Sequence, residues 1–230
     1  MKQHQPFFGF TPETIRFLND LKENNFREWF EDHREIYEIE LLQPFRALVT
    51  TLSPAMHNID PAFEFRPHKV LSRIYRDIRF SKNKDPYKTC LWMNFQRIGT
   101  SWRDFPGYFM ELNTEHCLLG MGLFEPKRKV MDAFRERIEM EPDSFRQLVQ
   151  SAVMERGFTV EGETYKRPIA NNLPEFFQPW MNRKSVYVIK KLPLTDERIY
   201  SDALARLIAD DFTHLSELYQ LMVEVKEETE

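Results

Sequence analysis

The spacing of the large side chains changes twice along this chain, and the order of the changes sets the class of fold. Phe26, Trp29, Phe30, His33, Tyr37 and Leu41 fall at i, i+3, i+4, i+7, i+11 and i+15, one stripe of a helix. From Phe63 the period is two: Val70, Ile74, Ile78 and Phe80 take even positions, and Arg73, Tyr75, Asp77 and Arg79 odd ones. Leu91, Met93 and Phe95 alternate again, as do residues 108–112 and 117–124, with Asn113-Thr114-Glu115 as a hairpin connection. Helical spacing returns at Pro126 and at Pro142. Short strands with short connections predict an antiparallel sheet, because parallel pairing needs long crossovers. No Ser/Gly/Pro-rich linker interrupts the order, so residues 1–230 are read as a single α+β domain with N-terminal and C-terminal helices around the sheet.

Local punctuation sharpens this outline. Thr11-Pro12-Glu13 predicts a helix start and Asn24-Asn25 its end, with Asn25 and Glu28 spaced as a capping box for a second helix. Pro44 is expected to kink or restart that helix, and Ser53-Pro54 to stop it. A hairpin is predicted over 158–166, turning at Glu161-Gly162, then a strand over 185–192 with Val186, Val188 and Lys190 on one face. One last helix is predicted over about 201–225.

Phe occurs 20 times and Gly seven, which favours a large aromatic core with few flexible loops. Cys90 and Cys117 form no CxxC pair and are read as free thiols of a reducing compartment. The N-terminal residues lack an apolar core of signal-peptide length, and no run approaches the ~20 apolar residues that span a bilayer. A cytoplasmic protein without membrane contact is expected.

Charge is distributed unevenly. Residues 66–88 hold eight Lys or Arg and two Asp, a local charge of +6 in a chain of −4, so the remainder carries −10. A basic island in an acidic protein attracts anions locally. Arg73, Arg76, Arg79, Lys82, Tyr87 and Lys88 are the candidate anion-binding residues, with Asp77 holding an arginine fork in place. A small phosphate- or carboxylate-bearing ligand is the partner this reading expects. Two other readings stand beside it. One is an enzyme acting on such a molecule, with Asp77 or Tyr87 handling protons. The other is a structural or interaction protein whose arginines pair with Glu28, Glu31, Asp32, Glu35, Glu38 and Glu40 in an internal lattice. The acidic C-terminal end, from Glu217 to Glu230, reads as a solvated tail.

Gly120 and Gly122 precede a predicted helix and are supporting candidates, since backbone amides at a helix start bind anions; a tight strand pairing or bulge is the better explanation of them. The histidines never fall in an HxH or HExxH arrangement, and no Walker, Rossmann or G-x-S-x-G pattern occurs, so neither a metal nor a cofactor is expected. The acidic overall balance argues against nucleic acid as a partner. Nothing in the residues specifies a reaction or an oligomeric state.

The order of the motifs adds a resemblance. FLNDLKENNFREWFEDHREIYE, then RIYRDIRFSKNKDPYKT, then PGYFMEL and LGMGLFEP resemble the domain of unknown function 2461 family of bacterial and fungal proteins, over residues 7–222. The chain has Gly120-Met121-Gly122 where the family often has three glycines, and GETYKRPIANN varies its G-x-x-x-K-R-x-P theme. The resemblance implies one compact α+β domain in the cytoplasm and supplies no activity, cofactor or catalytic residue.

Overall fold

The computed structural model of the chain describes residues 6–79 and 82–230. Phe80, the last of the even-numbered apolar positions in the basic segment, and Ser81 lie outside the described residues.

Helix α1 (Pro12–Glu23) begins at a capping box in which the Thr14 amide donates to Thr11 Oγ1 at 3.3 Å and the Thr11 amide donates to Thr14 Oγ1 at 3.0 Å. Helices α2 (Arg27–Asp32) and α3 (Arg34–Ile36) follow. Asn25 does not cap α2. Phe26 takes that place without a side-chain bond, because the Asn25 carboxamide is committed to the backbone of Tyr87.

Pro44 does not break the helical run. Tyr37–Leu42 forms a π-helical turn that leads directly into α4 (Gln43–Ile59). Proline has no amide to offer the carbonyls one turn back, and the Thr14 hydroxyl donates to the Glu40 carbonyl instead, at 2.7 Å. Nor does Pro54 stop α4, which continues to Ile59 and buries Met56. Pro54 lies on the exposed side, where water can satisfy the carbonyl it leaves unpaired.

The sheet has the order β1-β2-β3-β5-β4, with every neighbour antiparallel: β1 (Cys90–Phe95), β2 (Gly107–Asn113), β3 (His116–Leu123), β4 (Thr159–Glu161) and β5 (Val186–Pro193). The β2–β3 hairpin turns where expected. Asn113 Oδ1 accepts from the amides of Glu115 and His116 at 2.8 and 2.9 Å, an Asx turn that closes the connection. The expected hairpin over 158–166 does not form. After β4 the chain runs on beside the residues that precede β5, with the Glu163 amide on Ser185 Oγ and a bridge from Thr164 to Arg183.

Helix α5 (Pro67–Val70) replaces the start of the predicted basic strand. Beyond it, among the described residues, the segment makes two isolated bridges, Leu71 to Met93 and Tyr75 to Tyr87. Ile74 is buried as expected, but Ile78 is 42% exposed because the chain turns at 78–79. Pro86 has no amide to continue a ladder, and adjacent cations repel across a narrow pairing.

Helices α6 (Arg128–Met140), α7 (Pro142–Val149) and α8 (Gln178–Met181) follow the hairpin in sequence. The single C-terminal helix expected over 201–225 is two, α9 (Ala203–His214) and α10 (Ser216–Glu228), parted at Leu215, whose ψ of −1° leaves the regular helix. Helices α4, α9 and α10 pack on one face of the sheet. Inward residues of the strands, Leu91, Met93, Tyr108, Leu119 and Val188 among them, join one hydrophobic cluster that extends from Phe7 to Val225.

Two carboxylates lie inside this layer, each paired as burial requires. Asp211 accepts from Lys190 Nζ at 2.7 Å and from Arg156 Nε at 3.2 Å, which explains a lysine on the inward face of β5. Asp60 accepts from Arg97 Nε at 2.6 Å and from the Tyr219 hydroxyl at 2.7 Å. The acidic C-terminal end stays exposed yet is not merely solvated: Glu224 and Glu228 pair with Arg137 on α6, and Glu227 with Arg97. Cys90 and Cys117 are free and point to opposite faces of the sheet, so they cannot pair with one another. Among the described residues no helix is long and apolar enough to cross a membrane.

Candidate functional site

The basic segment lies along the free edge of β1. The Ser72 amide donates to the Trp92 carbonyl, the Lys88 amide to the Ile74 carbonyl and the Arg76 amide to the Pro86 carbonyl, each at 2.8 Å. These bonds bring residues 72–76 beside residues 86–92, where a cleft of about 640 Å³ lies. Arg73, Arg76, Arg79, Lys88 and Lys69 line it together with Trp92, and Asp77 is the carboxylate of its lining.

The candidate residues do not act alike there. Arg79 forms a forked pair with Asp77, Nε to Oδ1 at 2.9 Å and Nη2 to Oδ2 at 2.7 Å. That hydrogen bonding holds the Asp77 carboxyl down at about 2. Arg76 Nη2 donates to the Tyr87 carbonyl at 3.2 Å, and its buried Nε has no partner among the described residues. Arg73 forms no ion pair among the described residues. Lys88 Nζ donates to the Arg73 carbonyl at 2.9 Å and lies 5.7 Å from the centre of the Trp92 ring. Burial lowers the pKa of the Lys88 ammonium, and the charges of Arg73 and Arg76 act in the same direction.

Tyr87 is placed differently from what the sequence suggested. Only 2% exposed, it stacks on Phe30 with ring centres 4.1 Å apart and supports the cleft from beneath. Lys82 is exposed and does not line the cleft. The expected lattice between the acidic helix and the basic segment is not formed among the described residues. Glu31 pairs with Arg34 and Glu38 with Arg46, while Arg34 touches the segment only through the Tyr75 hydroxyl at 3.4 Å.

Gly120 and Gly122 are not part of this cleft. They lie on the outward face of β3, where a Cβ at Gly120 would come within 2.3 Å of the Phe109 ring and one at Gly122 within 2.5 Å of Tyr187 Cβ. The bare Gly120 lets the Phe109 ring lie across the strand, and Gly122 lets the backbone of β5 at Val186 and Tyr187 approach closely. The outward face therefore carries a trough of about 470 Å³ walled by Trp92, Trp102, Phe109, Phe124 and Tyr187. The rings form a continuous series: Trp92 to Trp102 at 6.3 Å, Trp102 to Phe124 at 5.8 Å, Phe124 to Phe109 at 5.1 Å and Phe124 to Tyr187 at 4.9 Å.

Polar groups meet these rings. Asn113 Nδ2 donates to Glu111 Oε1 at 2.8 Å and lies 3.2 Å from His116 Nε2, so one carboxamide orients both groups. Burial and the neighbouring Glu111 push the Cys90 thiol up to about 12, which leaves it protonated and unreactive at neutral pH. Sequence reasoning missed the trough. Its signal was present in the alternation: the outward positions of β1, β2 and β5, polar on a simply solvated face, hold Trp92, Phe109 and Tyr187.

No curated protein matches the chain. With its antiparallel sheet, flanking helices and the profile of the conserved hypothetical proteins DUF2461 matching residues 13–221, the chain belongs to that family.

Proposed function

We propose that the protein binds a small anionic ligand, bearing a phosphate or carboxylate group, in the cleft between the basic segment and the edge of β1. The observation that carries this reading is the grouping of Arg73, Arg76 and Lys88 around one cleft without a paired carboxylate for any of the three among the described residues. Cations held close together repel one another, and an anion placed between them relieves that repulsion. Arginine supplies a planar fork for the oxygens, and Lys88 a compact charge.

Asp77 is a poor candidate for proton transfer near neutral pH, since Arg79 keeps it ionised. Tyr87, buried under Phe30, serves as support. These placements favour binding over the proton-handling roles.

Thermal melts with and without inorganic phosphate test the proposal. Phosphate should raise the melting temperature of the wild type by linkage and do so less for Lys88→Ala and Arg73→Ala. An equal response in all three proteins rules the cleft out as the site.

A further inference from the structure

Trp92 belongs to both concavities: it lines the basic cleft and forms one wall of the aromatic trough. We infer that the trough is the second half of one site and receives a flat, nitrogen-bearing ring joined to the anion, which makes the ligand nucleotide-like. The inference rests on the anion reading of the cleft and adds the class of molecule that carries the anion.

Three observations support it. The trough's volume, about 470 Å³, lies in the range of small-molecule sites. Its walls are rings in mutual contact, and aromatic rings stack on the flat face of any base. Its polar groups suit a heterocycle's edge. With Nε2 of His116 accepting from Asn113, the ring proton sits on Nδ1 as a donor, while the second oxygen of Glu111 remains an acceptor. A purely apolar occupant, such as an acyl chain, would offer no partner to the His116 Nδ1 proton or to the second Glu111 oxygen. Lys88, over the Trp92 ring, stands at the junction where the anion would meet the ring.

Calorimetry and tryptophan fluorescence with adenosine 5′-monophosphate, adenosine and inorganic phosphate test this. The monophosphate should bind at least about tenfold more tightly than phosphate, the gain expected of one stacked base. Trp102→Ala, at a residue already 40% exposed, should remove that gain and leave phosphate affinity unchanged within about twofold. Phosphate binding with no gain from the ring overturns the trough and leaves the anion cleft standing. Adenosine binding that quenches fluorescence in wild type but not in Trp102→Ala, with phosphate inert, supports the trough and removes the anion cleft. No binding of any of the three overturns both.

Discussion

Asn25 holds both backbone groups of Tyr87, donating from Nδ2 to its carbonyl at 3.2 Å and accepting from its amide through Oδ1 at 3.0 Å. This pair crosses from the turn before α2 to the basic segment, and Arg76 donates to the same carbonyl. The shape of the cleft therefore depends on a residue far away in sequence that does not line it.

Asn25→Ala removes two hydrogen bonds and leaves the Tyr87 amide unpaired, while the Tyr87 carbonyl keeps its bond from Arg76. A loss of about 1–3 kcal/mol is expected, read from chemical denaturation. Hydrogen exchange at the Tyr87 amide should accelerate while that of the sheet core does not. Unchanged exchange at Tyr87 would show that the segment is held by other contacts.

Asp60 makes stability depend on acid. Burial opposes its ionisation, but the bonds from Arg97 and Tyr219 prevail and hold its pKa below the ordinary 3.8. A carboxyl depressed in the folded state contributes stability above that ordinary value and loses it as pH falls through the folded pKa. Asp60→Ala should cost about 3 kcal/mol at pH 7, leaving Arg97 and Tyr219 without their buried acceptor, and the gap from wild type should narrow below about pH 4. A gap that stays constant from pH 7 to pH 2.5 would show that ionised Asp60 is not what stabilises the fold.

Gly120→Ala should distort the trough. Its Cβ would meet the Phe109 ring at 2.3 Å and the Val188 carbonyl at 2.6 Å, and the carbonyl belongs to the sheet backbone and cannot swing away. Overpacking of this kind costs about 1–3 kcal/mol, and a thermal melt measures it. A variant as stable as wild type would mean that Phe109 does not lie across the strand.

Much of this fold is written in local patterns. Val186 and Val188 alternate, Asn113 closes a turn with its own side chain, and Thr11-Pro12 starts a helix, each within a few residues. Misreadings arose where distant partners decide. Pro44 is tolerated because Thr14, on another helix, reaches the Glu40 carbonyl, and Asn25 is drawn from its cap by Tyr87. The cations of the cleft were legible as a charge cluster; their division of labour was not. Arg79 is tied to Asp77, Lys82 stays outside, and Arg73, Arg76 and Lys88 meet only because residues 72–76 lie beside residues 86–92. The trough needs four strands in register, which no single segment displays.

Lys88 can itself report whether it and its neighbours hold an anion, as proposed. Its folded pKa is lowered, so in the alkaline range below the ordinary 10.5 the folded protein binds fewer protons there than the unfolded one, and stability attributable to this group rises with pH. A bound anion opposes both the burial and the arginine charges. The side-chain NMR signal of Lys88, assigned by its loss in Lys88→Arg, should titrate below the exposed lysines without phosphate and move upward when phosphate is added. A midpoint indifferent to saturating phosphate, measured beside unchanged signals from the other lysines, would contradict an anion site at this cleft.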